Sequence, residues 1–483
     1  MSLTAAIHGA MSGLKAASRG TQIVSENISN ATNPDYARRS LALGASAIAG
    51  PGVRVLGVNR HADPVLLAGK RDADAEFAAA KIASDFWTEA QRLVGAPEEE
   101  GTLAAQLNQF ESALIATASM PDSASRLDIL AQTASDLASG LVTASEGVQD
   151  LRTRADRDIA LQVDQLNTAL QDVAKLNKRI RYTAANGGSI AGLQDQRQAR
   201  VDAINEIVPI NVIDRGDGVI ALYSDGGAIL LDGSAVEIGF TPVNLVTPYM
   251  TQSNGLLGGL TLNGSPIASG PDRHALPGGS LAALFDLRDR LGVQMQDDLD
   301  IVARDLVERF QDTGLDPTLA ATDPGLFTDA GARFDPVDAL GLSYRLSLNT
   351  LVDPSGTAET WRLRDGLGAA APGSVGDASL LQAYSDALLD QRAPSQTSFG
   401  TALEDSAGMM ETLLSRVSSS LNSATAQRSF ATAAQSEMTR IVYEQGVDTD
   451  AELQTLLVLE KAYAANAKII ETADELLDAL LRI

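Results

Sequence analysis

Apolar residues recur at alternating intervals of three and four at both ends of the chain. Leu3, Ile7, Ala10, Leu14, Ala17, Thr21, Val24 and Ile28 fall on one helical stripe, and Leu456, Leu459, Tyr463, Asn466, Ile470, Ala473, Leu477 and Leu480 repeat the spacing at the far terminus. The pattern predicts two coiled-coil-like helices, each with a seam that wants a partner helix. Asn466 stands in that seam, where a buried amide fixes register or oligomeric state at a cost in stability. Helix nucleation is costly, so the ends are expected to stay unsatisfied and mobile in the free chain until neighbours bury them.

Between the ends the texture changes twice. Apolar residues at helical spacing predict helices over about 64–94, 101–119 and 122–183, the last too long for a typical globular helix and suited to a rod. The polar run Ser29 to Asp35 ends the first helix, Asn33-Pro34-Asp35-Tyr36 predicts a turn, and 40–60 suits a small hairpin. After Pro209, short apolar runs separated by Asp217-Gly218, Asp225-Gly226-Gly227 and Asp232-Gly233 carry a hairpin signature, with strand texture to about 277. Helix returns from Leu281 to about Phe310. In 312–375, Tyr344, Leu346 and Leu348 are candidates for one strand and Trp361 and Leu363 for another; 403–443 reads as a long helix, polar on most faces.

The expected fold is multidomain and mainly α: a long helical bundle or rod with coiled-coil-like terminal helices and an inserted β-rich domain. Its units would be 1–60 (N-terminal helix and short extended segment), 61–206 (helical domain, first part) and 207–277 (β-rich insert, with 325–367 as a candidate completion). The second part of the helical domain would take 278–324 and 368–445, and the C-terminal helix 446–483. Gly187 to Arg197 and Gly278 to Arg288 share Gly-Gly-Ser, Ala, Leu, Asp and Arg at matching positions. Capping chemistry explains the Gly and Ser but not the Leu, Asp and Arg, which predicts equivalent packing positions for the two copies.

Composition narrows the chemistry. Aromatics make up 4% of the chain, so its cores must be layered from Ala, Leu, Ile and Val. A net charge of −25 repels phosphate backbones and argues against nucleic acid, and the lack of cysteine removes disulfides, thiolate metal sites and thiol nucleophiles. His8, His61 and His274 lack the spacing of a metal site, and no cofactor is expected. Glu98-Glu99-Glu100 and Asp297-Asp298 are expected to be solvated surface rather than a paired acid and base. Gly187-Gly188-Ser189 lacks the lysine of a phosphate loop. Neither a cleaved signal peptide nor an 18-residue apolar span can be read, so export would need another route and no membrane insertion is expected. An enzyme is the least supported class; a secreted adhesin-like scaffold would need a concave aromatic or charged cluster in 208–277.

The two termini also carry a resemblance. Asn27-Ile28-Ser29-Asn30-Ala31-Thr32-Asn33-Pro34-Asp35-Tyr36, followed by Arg38, resembles the Asn-Ile-Ala-Asn-x-x-Thr-Pro-Gly-Tyr motif of flagellar rod, hook and hook-associated proteins. Gly446 to Leu453 and Ala462 to Ile470 resemble their closing motif. Leu193-Gln194-Asp195-Gln196-Arg197, Leu284 to Arg288 and Gly325-Leu326-Phe327 look like internal motifs of the hook-associated protein 1 (FlgK) family in particular. Asp35, Asn33 and Arg39 depart from the family pattern.

The resemblance implies a structural, non-enzymatic subunit of the bacterial flagellum at the junction of hook and filament. It implies an assembly interface built from Leu3, Ile7, Leu14, Val24, Asn27, Ile28, Asn30, Pro34, Tyr36, Arg38, Leu456, Leu459, Tyr463, Asn466, Ile470, Leu477 and Leu480. Its partners would be the hook protein, a second junction protein of FlgL type and further copies of itself in a tubular assembly. Secretion would run through the flagellar type III apparatus, aided by a chaperone that binds the C-terminal region. Another axial protein of hook or rod type is the alternative within the superfamily; the long helices of 64–183 and 403–443 favour a junction protein.

Overall fold

The computed structural model describes residues 3–45, 52–95, 101–270, 273–312 and 314–481, apart from the side chains of Arg273, His274 and Leu480. Helix α1 (Leu3–Ser29) leads into an antiparallel hairpin, β1 (Arg39–Ala45) and β2 (Val53–Arg60), with a bulge at Ala42/Leu43. Then follow α2 (Pro64–Val94), α3 (Leu103–Ser119), α4 (Ala124–Ala185) and α5 (Ala191–Ile207). Asp63 starts α2 by accepting the N–H groups of Val65 at 2.9 Å and Leu66 at 3.3 Å, with Pro64 in the first turn where its missing N–H costs nothing.

The spine of the molecule is α4. Its 62 residues span ~93 Å at the usual rise, and one face is buried from Leu127 to Ile180. Against it pack α3, α5 and the path 279–310, in which α6 (Gly279–Asp286) and α7 (Gly292–Phe310) are joined by a π-helical turn at Leu287–Leu291. The core is layered from small aliphatic side chains. Its main rings cluster at one place, where Phe310 lies 5.9 Å from Phe110, 5.3 Å from Phe327 and 5.3 Å from Tyr384, centroid to centroid.

Residues 210–274 hold a four-stranded antiparallel sheet, β3 (Ile210–Asp214), β4 (Ile220–Ser224), β5 (Ile229–Asp232) and β6 (Ser234–Ala235), in that order. Shorter ladders join Ile238–Gly239 to Thr261–Leu262 and Ser269–Gly270 to Arg273–His274. The turns fall on the Asp-Gly pairs, where Gly218, Gly227 and Gly233 take positive φ. This region shares the apolar core with α4 through Ile220, Leu222, Leu230, Leu231, Ile238 and Leu260, and a row of polar side chains on the helix fixes its backbone in place. Asn177 donates to Ile220 O at 2.8 Å and accepts from Ile220 N at 3.3 Å, and Asn167 does the same for Ile238 at 2.7 and 2.9 Å. Further along, Asp156 accepts Val243 N at 2.6 Å and Thr153 accepts Val246 N at 2.9 Å.

The two similar segments do sit in equivalent places. Arg197 donates to Asn177 on α4 at 2.8 Å and to Gly218 O at 2.5 Å; Arg288 donates to Asp156 on α4 at 2.5 Å and to Gly258 O at 3.0 Å. Asn177 and Asp156 lie roughly six helical turns apart, so both arginines meet the same face of the spine.

Beyond α7 come the one-turn helices α8 (Leu342–Arg345) and α9 (Arg362–Asp365), then α10 (Ser379–Leu389), α11 (Ser406–Glu444) and α12 (Thr449–Leu481). Four expectations need correcting. Trp361 and Leu363 belong to the turn of α9 rather than a strand, because the Arg362 guanidinium folds back onto Leu367 O and Ala369 O. Tyr344 sits in α8, and only Leu346–Leu348 forms a strand, paired with Phe327–Asp329 and with no strand of 207–277. Asp298 is not surface: it is 4% exposed and accepts two bonds from Arg416, at 3.0 and 3.1 Å, while Asp297 is half-buried. The ends, expected to be unsatisfied, are paired with each other, because the seam of α12 is met by α1 of the same chain. Glu98-Glu99-Glu100 lies outside the described residues.

Two buried charges generate tests. Arg288 and Asp156 are fully buried, so Asp156→Ala leaves the guanidinium and Val243 N short of an acceptor. It should cost ~3 kcal/mol in chemical denaturation, with new proteolysis near Val243. Asp297 is pushed up to about 6, first by burial and then by Asp300 and Asp298. The unfolded chain titrates near the ordinary value, so the folded state carries a penalty that grows as pH rises through ~4 to ~6 and is complete above it. Asp297→Asn should therefore raise the melting temperature at pH 7.5 and give no gain at pH 4.

Candidate functional site

The terminal helices run antiparallel and approach closely because small residues line the contact. A Cβ on Gly13 would stand 2.7 Å from Asn466 Oδ1, and one on Gly20 would stand 2.9 Å from the Leu459 methyls. Each helix thus contributes positions one heptad apart. Ala10, Ala16, Ala17, Ile23 and Val24 are buried along α1, and Ala473 along α12. Asn466 is half-buried and turns its amide back to its own helix, donating to Ala462 O at 2.8 Å.

At the closed end of this seam, Asn27 is fully buried. Its side chain pairs both backbone groups of Arg39, the first residue of β1: Nδ2 donates to Arg39 O at 2.8 Å and Oδ1 accepts Arg39 N at 3.0 Å. The same oxygen accepts the Tyr36 hydroxyl at 2.7 Å. Burial pushes the Tyr36 phenol up to about 12, against the pull of the Arg39 guanidinium 4.5 Å above its ring. The phenol therefore stays protonated and donating at any ordinary pH. Asn30 Nδ2 closes the last turn of α1 on Glu26 O at 2.9 Å, and Asn33 Oδ1 accepts Asp35 N at 3.2 Å. The asparagine at position 33 thus keeps the turn by bonding its side chain to the backbone two residues on.

Arg38 and Arg39 leave the motif in different directions. Arg38 Nε donates at 2.7 Å to Glu452, which is 1% exposed in the first turn of α12, where the helix dipole favours a carboxylate. Arg39 reaches Glu26 at 3.2 Å and Asp195 of α5 at 2.5 Å; Arg60 of β2 donates to the other oxygen of Asp195 at 2.7 Å and also meets Gln198. Asp195 belongs to the internal motif singled out in the sequence. Arg60 was missed because a lone arginine at a strand end carries no signal.

Of the expected interface residues, Val24 and Asn27 are buried, and Leu3, Ile7, Leu14, Ile28, Asn30, Tyr36, Arg38, Leu456, Leu459, Asn466 and Ile470 are half-buried. Pro34 is exposed, as are Tyr463 at 46% and Leu477 at 39%. The side chain of Leu480 lies outside the described residues. Of the predicted stripe on α1, Ala10, Ala17 and Val24 are buried and Thr21 faces solvent, while Ala16, Gly20 and Ile23 beside the stripe join the buried face. Two glycines seven residues apart inside a helix were the signal for close approach, since each weakens a helix unless packing needs it.

After α1 and α12 have packed, an apolar flank of α12 remains open, with Val458, Ile469 and Leu476 in solvent, and Leu453 and Leu457 exposed on the opposite flank. Beside the seam lies a groove of about 390 Å³ floored by Ala17, Gly20, Leu41 and Leu459. Elsewhere, His61 shares a 2.7 Å hydrogen bond with Ser40 without a carboxylate to orient it. Among the described residues no group of acidic or histidine side chains is arranged to hold a metal ion, and no helix is long and apolar enough to cross a membrane.

Comparisons with known proteins follow the same lines. The family model described as the flagellar hook-associated protein FlgK helical domain matches residues 88–316, and that for the flagellar basal body rod FlgEFG protein C-terminal region matches 439–483. Flagellar hook-associated protein 1 from Escherichia coli (strain K12) is 24% identical over 550 residues, covering 100% of both chains. The protein of that name from Salmonella typhimurium is 26% identical over 52% of this chain and 48% of its own. The solved flagellar hook junction protein FlgK from Burkholderia pseudomallei overlaps at a TM-score of 0.44 and 18% identity, over 55% of this chain and 47% of that one, too partial to bear on the argument. Two family matches that cover the spine and the C-terminal helix, joined by a relative that aligns over its full length, agree with the terminal motifs: the chain carries the FlgK helical domain and is similar along its whole length to flagellar hook-associated protein 1.

Proposed function

We propose that this chain is a structural subunit of the flagellar hook–filament junction, built into the axial tube through α1 and α12. The FlgK helical domain and the similarity to flagellar hook-associated protein 1 along the whole chain support the role. The observation that carries the mode of assembly is the apolar flank of α12 that its own seam leaves uncovered. A closed seam of small residues makes a slim two-helix unit, and the leftover Val458, Ile469 and Leu476 give it a greasy edge for the next subunit. A tube needs such contacts to be heterologous and to repeat helically. The exposed Leu453 and Leu457 offer a second edge on the other side, as a subunit with neighbours on both sides requires.

Hook and filament are the neighbours the family implies. A junction protein of FlgL type on the distal side, and export by the type III route with a chaperone on the C-terminal region, are the finer reading. A slender pair of amphipathic helices suits both, because it can be unpaired for passage and closes again by burying a seam. The units 1–60, 61–206 with 278–324 and 368–445, 207–277 and 446–483 remain our proposed division of the chain. The mechanism uses no catalytic group: assembly is the activity.

Two outcomes are expected. Removing 1–30 or 450–483 should leave the body with its cooperative melt by circular dichroism, since the main apolar core contains no residue of α1 or α12, yet should abolish filament growth and swimming in soft agar. Gly20→Leu in the whole chain drives a side chain into Leu459 and should act likewise with no change in the body's melting. Normal filaments on cells that carry only the Gly20→Leu chain would show that the seam does not govern assembly.

A further inference from the structure

The most exposed aromatic ring among the described residues belongs to Phe430 in the middle of α11, at 80% exposure. A phenylalanine ring in that position leaves ~200 Å² of apolar burial unused. One turn to either side stand Ala426, Ala433 and Ala434, all exposed, so the ring rises as a knob from a bed of small side chains. The contact face of α11 lies elsewhere on the helix: Ala431 is buried, Arg428 donates to Asp85 of α2 at 3.1 Å, and Gln435 donates to Asp74 of α2 at 2.9 Å. At roughly 100° per residue, Phe430 stands about 200° around the helix from Arg428, on the opposite flank of the α2–α11 pair.

The other flank of that pair carries a recess. An open cleft of about 640 Å³ lies between α2, α4 and α5, lined by the apolar Phe77, Ala78, Ile82 and Ile207, with Thr168 exposed at its rim. Lys81 at the edge of the cleft bonds Asp85 at 2.5 Å, the same carboxylate that Arg428 holds. The cleft therefore lies on the flank toward which Arg428 leans, and Phe430 on the other. The levels agree as well. Helices α2 and α11 run antiparallel, tied at Asp85 to Arg428 and at Asp74 to Gln435, and Phe430 falls between these ties, level with the Phe77 to Ile82 stretch that lines the cleft. Among the described residues, none of the buried polar atoms that lack a partner belongs to the cleft lining, so what it offers an occupant is apolar area rather than a polar grip.

We infer that Phe430 of one copy of this chain seats in the cleft between α2, α4 and α5 of the next copy, giving the helical body a side-to-side contact of its own. The inference rests on the reading of the chain as a subunit of a tube. A knob and a recess on opposite flanks at one level are what identical subunits need to follow one another around a ring, because the contact is heterologous and repeats without a shift along the axis. Two copies facing each other through the same patch would bring knob against knob and leave both clefts empty. One ring and its bed of alanines bury far less than the ~1,200 Å² of a stable pair. The contact therefore forms where subunits already stand side by side, and leaves the free chain monomeric.

The absence of cysteine from the chain makes the test direct. Ala434→Cys beside the knob and Thr168→Cys at the rim, both at exposed positions, put thiols on the two sides of the contact and keep Phe430. In flagella isolated from cells that carry only this double variant, a short bismaleimide should link the subunits into dimers, trimers and longer ladders, and either single variant should give monomer alone. Monomer alone from the double variant, or dimers from Ala434→Cys by itself, which would mean a two-fold contact, overturns the proposal. Phe430→Glu should leave the circular dichroism and melting of the purified chain as in the parent, since the ring lies in solvent, and should abolish swimming in soft agar; Phe430→Leu, which keeps an apolar knob, should restore it. Full swimming by Phe430→Glu cells overturns the proposal too, and this pair of variants decides if the double variant does not assemble. A parent chain that fails to restore swimming to cells lacking their junction protein would count against the junction role itself.

Discussion

Everything at the working end of this protein depends on how closely two helices can approach. Glycine inside a helix costs about 1 kcal/mol relative to alanine, and α1 carries Gly13 and Gly20 at the contact. The cost is offset where the absent side chain lets the partner lie against the backbone and gain dispersion contacts along the whole seam. With Asn466 over Gly13 and Leu459 over Gly20, the register of α12 is set. Arg38 then meets Glu452, β1 starts beside Asn27, and the large apolar side chains of α12 that do not fit the narrow seam are left facing out.

A second device recurs at three of the places where a strand begins beside a helix. Asn27, Asn167 and Asn177 each pair both backbone groups of one residue, Arg39, Ile238 and Ile220 respectively, and each of these residues is the first of its strand. A helical asparagine offers a donor and an acceptor side by side, as a neighbouring strand would, and satisfies backbone groups that would otherwise be buried unpaired. Short strands can therefore lie on a helix without an extended sheet. The fully buried Arg152 likewise satisfies backbone carbonyls, donating to Arg288 O of the π-helical turn at 2.8 Å and to Met250 O of a loop at 2.7 Å, which fixes both to the spine although burial pulls its pKa down to about 10.

Much of this architecture was legible beforehand. The long helical stripes, the Asp-Gly hairpins and the duplicated Gly-Gly-Ser segments depend on period and local backbone preference, which travel with the sequence. The Asn27 to Tyr36 motif marked the site, and Asp195 lay in a segment already set apart. Less visible were the partners. Asp297-Asp298 reads as two charges on a polar stretch, yet Arg416, more than a hundred positions away, draws Asp298 inward. Trp361 and Leu363 alternate like a strand, but Asp365 N bonds back to Trp361 O and Gly366 N to Arg362 O, and a one-turn helix forms instead. Along α1 the regular stripe was drawn through Thr21, which is exposed, whereas burial takes in Ala16, Gly20 and Ile23 beside Ala10, Ala17 and Val24, because close packing selects for smallness as well as apolarity.

The sequence by itself determined the kinds of element, their order and the fact that both ends are amphipathic, since helical period, turn chemistry and charge are properties of neighbours along the chain. Only the tertiary structure decided that the two ends satisfy each other first and present what remains. That choice rests on contacts between residues more than 400 positions apart, Gly13 with Asn466 and Arg38 with Glu452, whose strength depends on distance and fit that no local pattern encodes.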